Sequence, residues 1–163
     1  MPRSRVQSAP SDADAVLMSR HLLGLAMAIR RRVSDGLIER GHDLSPSSTQ
    51  VVPNLPAEGI GMSDLAGRLR LTLQRTGQLV ARLEEDGYVE RVADPNDGRA
   101  KRVVYSPRGR TLVADIEAIM QETTEEFADT LGKQRFEDLC SELAELDAAV
   151  NGVDAPLRLG ERR

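Results

Sequence analysis

Apolar residues recur every three or four positions along both ends of the chain, while the middle is patterned in shorter, mixed segments. From about residue 14 to residue 40, Leu22, Leu25, Ile29, Val33 and Leu37 mark one face of a long helix that Gly41 should stop. Ser45 or Ser47 can cap a short helix over about 47–52, which Pro53 and Pro56 would cut off into a loop. Ser63 is expected to open a helix with Leu65, Ala66 and Leu69 inward. Thr72 suits the N-cap of the next helix, 73–86, which buries Thr76, Leu79, Val80 and Leu83 and is closed by Gly87. Two β-prone runs, 88–93 and 101–106, flank the turn-rich DPNDGRA. Ser106 and Pro107 then supply an N-cap and a first-turn proline. Leu112, Ile116, Ile119, Thr123, Phe127 and Leu131 give the inner face of that helix. After Gly132, Phe136, Leu139, Leu143, Leu146 and Val150 continue the spacing in a final helix.

Helix, helix and β-hairpin in that order predict a mainly α fold with a small β-hairpin wing, a winged helix-turn-helix set between helical regions. Aromatic residues are 2% of the 163 and Trp is absent, so the core must come from Leu, Val, Ile, Ala and Met, which favours packed helices over a large β-sandwich. The single cysteine, Cys140, excludes an intrachain disulfide, fits a cytoplasmic location, and falls near the core face of the last helix, where a buried thiol is expected. No apolar run approaches the roughly 20 residues that span a bilayer, so no membrane partner is expected. The first residues lack an apolar signal core and read as a disordered tail.

Charge changes the picture more than composition does. The formal net charge is −4, which by itself argues against nucleic acid. Yet residues 68–110 hold ten Lys or Arg against six Asp or Glu, and residues 115–150 hold two against eleven. A locally basic middle can meet phosphates while the acidic end faces elsewhere. Within that middle, Gln74, Arg75, Gln78 and Arg82 share the polar face of the 73–86 helix. A helix fits the major groove, where Arg pairs with guanine and Gln with adenine. Arg75 lies near the helix start, where recognition helices usually touch bases. Thr72 is expected to cap first, and its helix N-terminus also suits a phosphate. Lys101 and Arg102 are further phosphate candidates.

The segment MSDLAGRLRLTLQRTGQLVARLEEDGYVERVADPNDGRAKRVVYSPRGR resembles the MarR family of transcription regulators. LEEDGYVER resembles the family's link into the wing, DPNDGR its wing tip, and SPRGR the start of the helix after the wing. The resemblance implies a tail over 1–13, a dimerisation helix over 14–44, and the winged helix-turn-helix over 45–106. It further implies dimerisation helices over 107–151, a tail over 152–163, and a homodimer on a near-palindromic duplex DNA operator. By the same resemblance, Asp97 orients an arginine while Arg99 reaches the minor groove. A phenolic or lipophilic effector is implied between the long helices and the DNA lobe, with Met27, Arg30 and Arg31 as candidate lining. Arg75 and Gly77 stand where the family commonly has small hydroxyl residues, so a target sequence does not transfer.

Other chemistry finds little support. His21 and His42 lack the clustered ligand spacing of a zinc site, and no metal or cofactor is expected. No phosphate-binding loop, dinucleotide fingerprint or nucleophile elbow is present, so an enzyme is not expected. The acidic run 122–126 reads as a solvated helix face. The competing reading is a winged-helix module for protein contacts or assembly that binds no DNA.

Overall fold

The computed structural model describes residues 11–94 and 100–151. A long helix α1 (Asp12–Glu39) begins slightly ahead of its expected start. A single turn α2 (Pro46–Thr49), a 3-10 turn (Val52–Asn54), a strand β1 (Ile60–Gly61) and helices α3 (Met62–Leu69) and α4 (Leu73–Glu85) follow. Strands β2 (Val89–Ala93) and β3 (Lys101–Tyr105) precede the two last helices, α5 (Pro107–Leu131) and α6 (Lys133–Asn151).

The segment expected to be a loop after a short helix is more ordered than its prolines suggested. Ser45 caps α2 by accepting from the Ser48 amide, with Pro46 in the first turn, and Pro53 lies in the first turn of the 3-10 helix. Proline lacks an amide donor and fixes φ, so it suits the start of a helical turn, and here it begins elements rather than ending one. Beyond that turn, β1 pairs antiparallel with β3 (Ile60 opposite Val103), making a three-stranded sheet of order β1–β3–β2 rather than a hairpin alone. A two-residue strand has no periodicity to read, which is why the sequence did not reveal it. Nor does Ser63 open α3: Gly61 occupies the cap position and no side chain caps it.

Three helices stop in the same way. Gly41, Arg70 and Gly87 take positive φ after α1, α3 and α4. In each case the following amide reaches back five residues: His42 to Leu37 O, Leu71 to Ala66 O and Tyr88 to Leu83 O, at 2.8–3.0 Å. This satisfies carbonyls that would otherwise end the helix unpaired. Glycine makes the left-handed conformation at no steric cost; Arg70 adopts it between α3 and α4 without that help.

The core lies under α4 and the sheet. Val51, Leu65, Val80, Leu83, Tyr88, Val103 and Leu112 are essentially inaccessible to solvent. Thr76, Leu79, Val80 and Leu83 all face inward on α4, as their spacing predicted. The Tyr105 hydroxyl donates to Val52 O at 2.7 Å, and burial pushes its pKa up, so it keeps its proton. Above the core, α1 packs on α5. Arg40 pairs with Glu122 at 3.0 Å and Asp115 at 3.6 Å, and Arg32 pairs with Glu126.

The outer helices bury much less. Leu112, Ile116, Ile119 and Thr123 are buried on α5, but Phe127 and Leu131 are only half-buried. On α6, Leu139, Leu143, Leu146 and Val150 are exposed, as are Val16, Leu17, Met18, Leu22, Leu23, Leu25 and Met27 on α1. Cys140 is exposed too, contrary to the buried thiol expected, because the single chain puts no second layer over α6. Among the described residues, no helix is long and apolar enough to cross a membrane.

Gly109, in the first turn of α5, is pressed against the Tyr88 carbonyl and the Tyr105 ring. An added Cβ would overlap backbone, which cannot swing aside. Gly109→Ala should lower stability by about 1–3 kcal/mol, read as a fall in the urea midpoint with an unchanged slope.

Candidate nucleic-acid interface

The capped helix α4 projects polar side chains from a fixed base. The base is the buried face of α4; the cap is Thr72, whose hydroxyl accepts from the Arg75 amide at 3.2 Å. Such a cap contributes about 1 kcal/mol. With both ends fixed by Thr72 and Gly87, the direction of α4 relative to the sheet is set by packing.

Gln74, Arg75, Gln78 and Arg82 are all exposed on this helix, and so is Thr72. The Arg75 guanidinium donates to Gln78 Oε1 at 3.1 Å, so two of the four already lie together. Arg82 is 3.9 Å from Asp86, a loose pair on the surface that constrains it little. No acidic residue occurs between Thr72 and Leu83, whereas Glu84, Glu85 and Asp86 gather at the far end. The helix dipole adds positive potential at the Thr72 end, so the end nearest Arg75 is the one that favours an anion. Leu73 is exposed at the first turn beside these polar groups.

Wing residues divide into two kinds. Lys101 is exposed at the start of β3. Arg102 is largely tied into the structure: its guanidinium donates to Gly59 O at 2.6 Å and approaches Asp94 at 3.9 Å, so it braces the base of the wing. Asp97 and Arg99 lie outside the described residues.

Sequence reasoning missed a strut. Arg91 on β2 reaches α4, with 3.5 Å to Glu84 and 3.4 Å to Gly77 O, and so links the wing to the exposed helix. The pairing register that brings a strand residue beside a helix residue is tertiary, and no local pattern announced it. A second missed group is buried: His42, Tyr88 and Asp115 meet between the winged helix and α5.

The candidate effector lining is not gathered into a cavity. Met27, Arg30 and Arg31 are exposed on α1. Two open clefts, of about 400 Å³ between α5 and α6 and about 510 Å³ below the wing, touch none of them. Among the described residues no cluster of His, Cys, Asp or Glu could hold a metal ion.

Residues 42–100 match the model of the MarR family. Over 82 residues the chain is 29% identical to the HTH-type transcriptional regulator BilQ of Clostridioides difficile, a match covering 48% of this chain and 55% of that protein. The chain thus spans about half the length of that relative. The fold is shared more widely. RV1404 from Mycobacterium tuberculosis superposes with a TM-score of 0.70 at 18% identity, over 90% of this chain and 99% of that one. Sco3205 from Streptomyces coelicolor, a MarR family transcriptional regulator solved in complex with DNA, superposes with a TM-score of 0.62 at 18% identity, over 94% and 98% of the two chains. The likeness establishes the winged helix with its flanking helices, as the order of elements predicted.

Gly77 is the weak point of α4. It lies mid-helix with open space where a Cβ would go. Gly77→Ala should raise stability by about 0.5–1 kcal/mol, measured as a higher urea midpoint.

Proposed function

We propose that this chain is a MarR-type, sequence-specific, duplex DNA-binding transcription regulator that works as a homodimer on a near-palindromic operator. The observation that carries the reading is the exposed, acid-free face of α4, with Gln74, Arg75 and Gln78 near a capped N-terminus on a rigid base. In this reading α4 enters the major groove, Arg75 and Arg82 read guanine, and Gln74 and Gln78 read adenine or hold phosphates. Thr72 and the first amides of the helix meet a phosphate. Lys101 adds a phosphate contact, Arg102 aims the wing, and Arg99, oriented by Asp97, enters the minor groove, whose narrow A·T stretches attract arginine.

One winged helix makes a small interface, so a second copy is needed to add its contacts on the same duplex. The apolar rows of α1 and α6, exposed in the single chain, support pairing through the terminal helices. Burying them in a dimer would take these apolar side chains out of water. A phenolic or lipophilic effector at Met27, Arg30 and Arg31 would then require a cleft completed by the second copy. A ligand that favoured a different spacing of the two lobes would oppose operator binding.

Selection of bound sites from a random duplex library, followed by titration at two salt concentrations, tests the reading. An inverted repeat should be enriched, and its affinity should fall steeply with salt as phosphate counterions are released. Arg75→Ala should change the selected sequence, at a cost of about 1–3 kcal/mol at its base pair, whereas Arg99→Ala should weaken binding to many sequences alike. No enrichment and no binding at low salt would favour the protein-contact module instead.

The homodimer has its own check. Sedimentation equilibrium should give twice the chain mass, and charged substitutions at Leu143 and Leu146 should reduce it to one. A single-chain mass for the unmodified protein would remove the dimer from the account.

A further inference from the structure

Between the winged helix and the long helices, two buried polar side chains link a half-buried carboxylate to an exposed guanidinium. His42 is 5% exposed and Tyr88 1%. His42 Nε2 is 2.8 Å from Asp115 Oδ2, and its Nδ1 is 3.2 Å from the Tyr88 hydroxyl. Arg108 donates to that hydroxyl at 3.1 Å, with its guanidinium 4.6 Å from the centre of the Tyr88 ring. The groups come from different places in the fold. His42 follows α1, Tyr88 joins α4 to β2, and Asp115 and Arg108 belong to α5.

Donor and acceptor capacities leave little freedom. A carboxylate only accepts, so Nε2 must carry the proton that faces Asp115. A guanidinium only donates, so the Tyr88 oxygen accepts from Arg108. The Tyr88 proton then points to Nδ1, which must be the bare nitrogen. The result is a one-way chain, Arg108 to Tyr88 to His42 to Asp115, in which every member is satisfied. A doubly protonated ring would aim Nδ1–H at an oxygen that already receives Arg108, and the buried Tyr88 proton would lose its acceptor. An unsatisfied buried donor is destabilising. The charged group on the ring is Asp115 from α5; Arg108 from α5 reaches the Tyr88 hydroxyl, and Arg40, just after α1, lies behind Asp115. Arg40 contacts both Asp115 and Glu122, so Asp115 does not face the ring uncompensated.

We infer that His42, with its proton on Nε2, is a positioning residue that pins the winged helix to the α1–α5 frame. Tyr88 begins the link from α4 to the wing, so movement there would tilt the surface proposed to enter DNA. The tautomer follows from the hydrogen bonds alone; the effect on an operator rests on the DNA-binding reading above.

The chain has only two histidines, and His21 is exposed, so long-range proton–nitrogen spectra of the intact protein can separate them. Near neutral pH, His42 should show a protonated Nε2 and a bare Nδ1. A protonated Nδ1 in that spectrum overturns the inference. Affinity for the library-selected duplex is then compared across variants. His42→Ala should weaken binding about tenfold, a typical size for coupling between sites, and His42→Gln, whose amide can both donate and accept, should restore most of it. Tyr88→Phe keeps the ring and removes the hydroxyl, and it should weaken binding while thermal unfolding shows the variant still folded. Unchanged binding by a folded His42→Ala or Tyr88→Phe, or no rescue by His42→Gln, contradicts the positioning role. If wild type binds no duplex, the DNA-binding reading fails instead, and the spectrum alone decides the tautomer.

Discussion

The direction of α4 depends on a knot of backbone contacts at its far end. The Tyr88 amide closes α4 onto Leu83 O, and the Tyr88 carbonyl accepts from the Ser106 amide at 3.1 Å. Ser106 in turn donates its hydroxyl to Gly87 O and accepts from the Gly109 amide, capping α5. The end of α4, the start of β2, the end of β3 and the start of α5 are therefore held together by Gly87, Tyr88, Ser106 and Gly109. Only glycine at 109 lets α5 come close enough to the Tyr88 carbonyl.

From this knot the rest of the geometry follows. The buried face of α4 joins one core with Leu65, Val103 and Leu112, so its polar face points away from that core. The wing leaves from the same point and is tied back to α4 by Arg91 and to β1 by Arg102. The long α5 carries the position of the knot to α1 through paired charges at Arg32, Arg40, Asp115, Glu122 and Glu126. A rigid reading head on long helices with uncovered apolar rows can be placed on DNA as one of a pair.

Much of this was legible in the sequence because it is local. Thr72, Gly87, Ser106 and Pro107 announce helix ends through capping chemistry that acts over three or four residues. The period of Thr76, Leu79, Val80 and Leu83 fixed which side of α4 is polar. What escaped was either too short or too distant. β1 has two residues, and its pairing with β3 crosses some forty positions of chain. His42 meets Asp115 across 73 residues and Tyr88 across 46, so neither contact has a local signature. Cys140 was misplaced because helical spacing gives an apolar face without saying whether this chain or another covers it. The same limit applies to Leu139, Leu143 and Leu146. Arg102 looked like a free cation in sequence, whereas its partners Gly59 and Asp94 come from the loop before β1 and the end of β2.

The central claim is that two copies present α4 to successive major grooves of one duplex. Hydroxyl-radical footprinting of the protein on its selected site tests it most directly. The account predicts two symmetric protected patches on one face of the DNA, about one helical turn or a whole multiple apart, with protection extending into the flanking minor grooves where the wings would lie. A single patch, or uniform protection without a repeat, would contradict it.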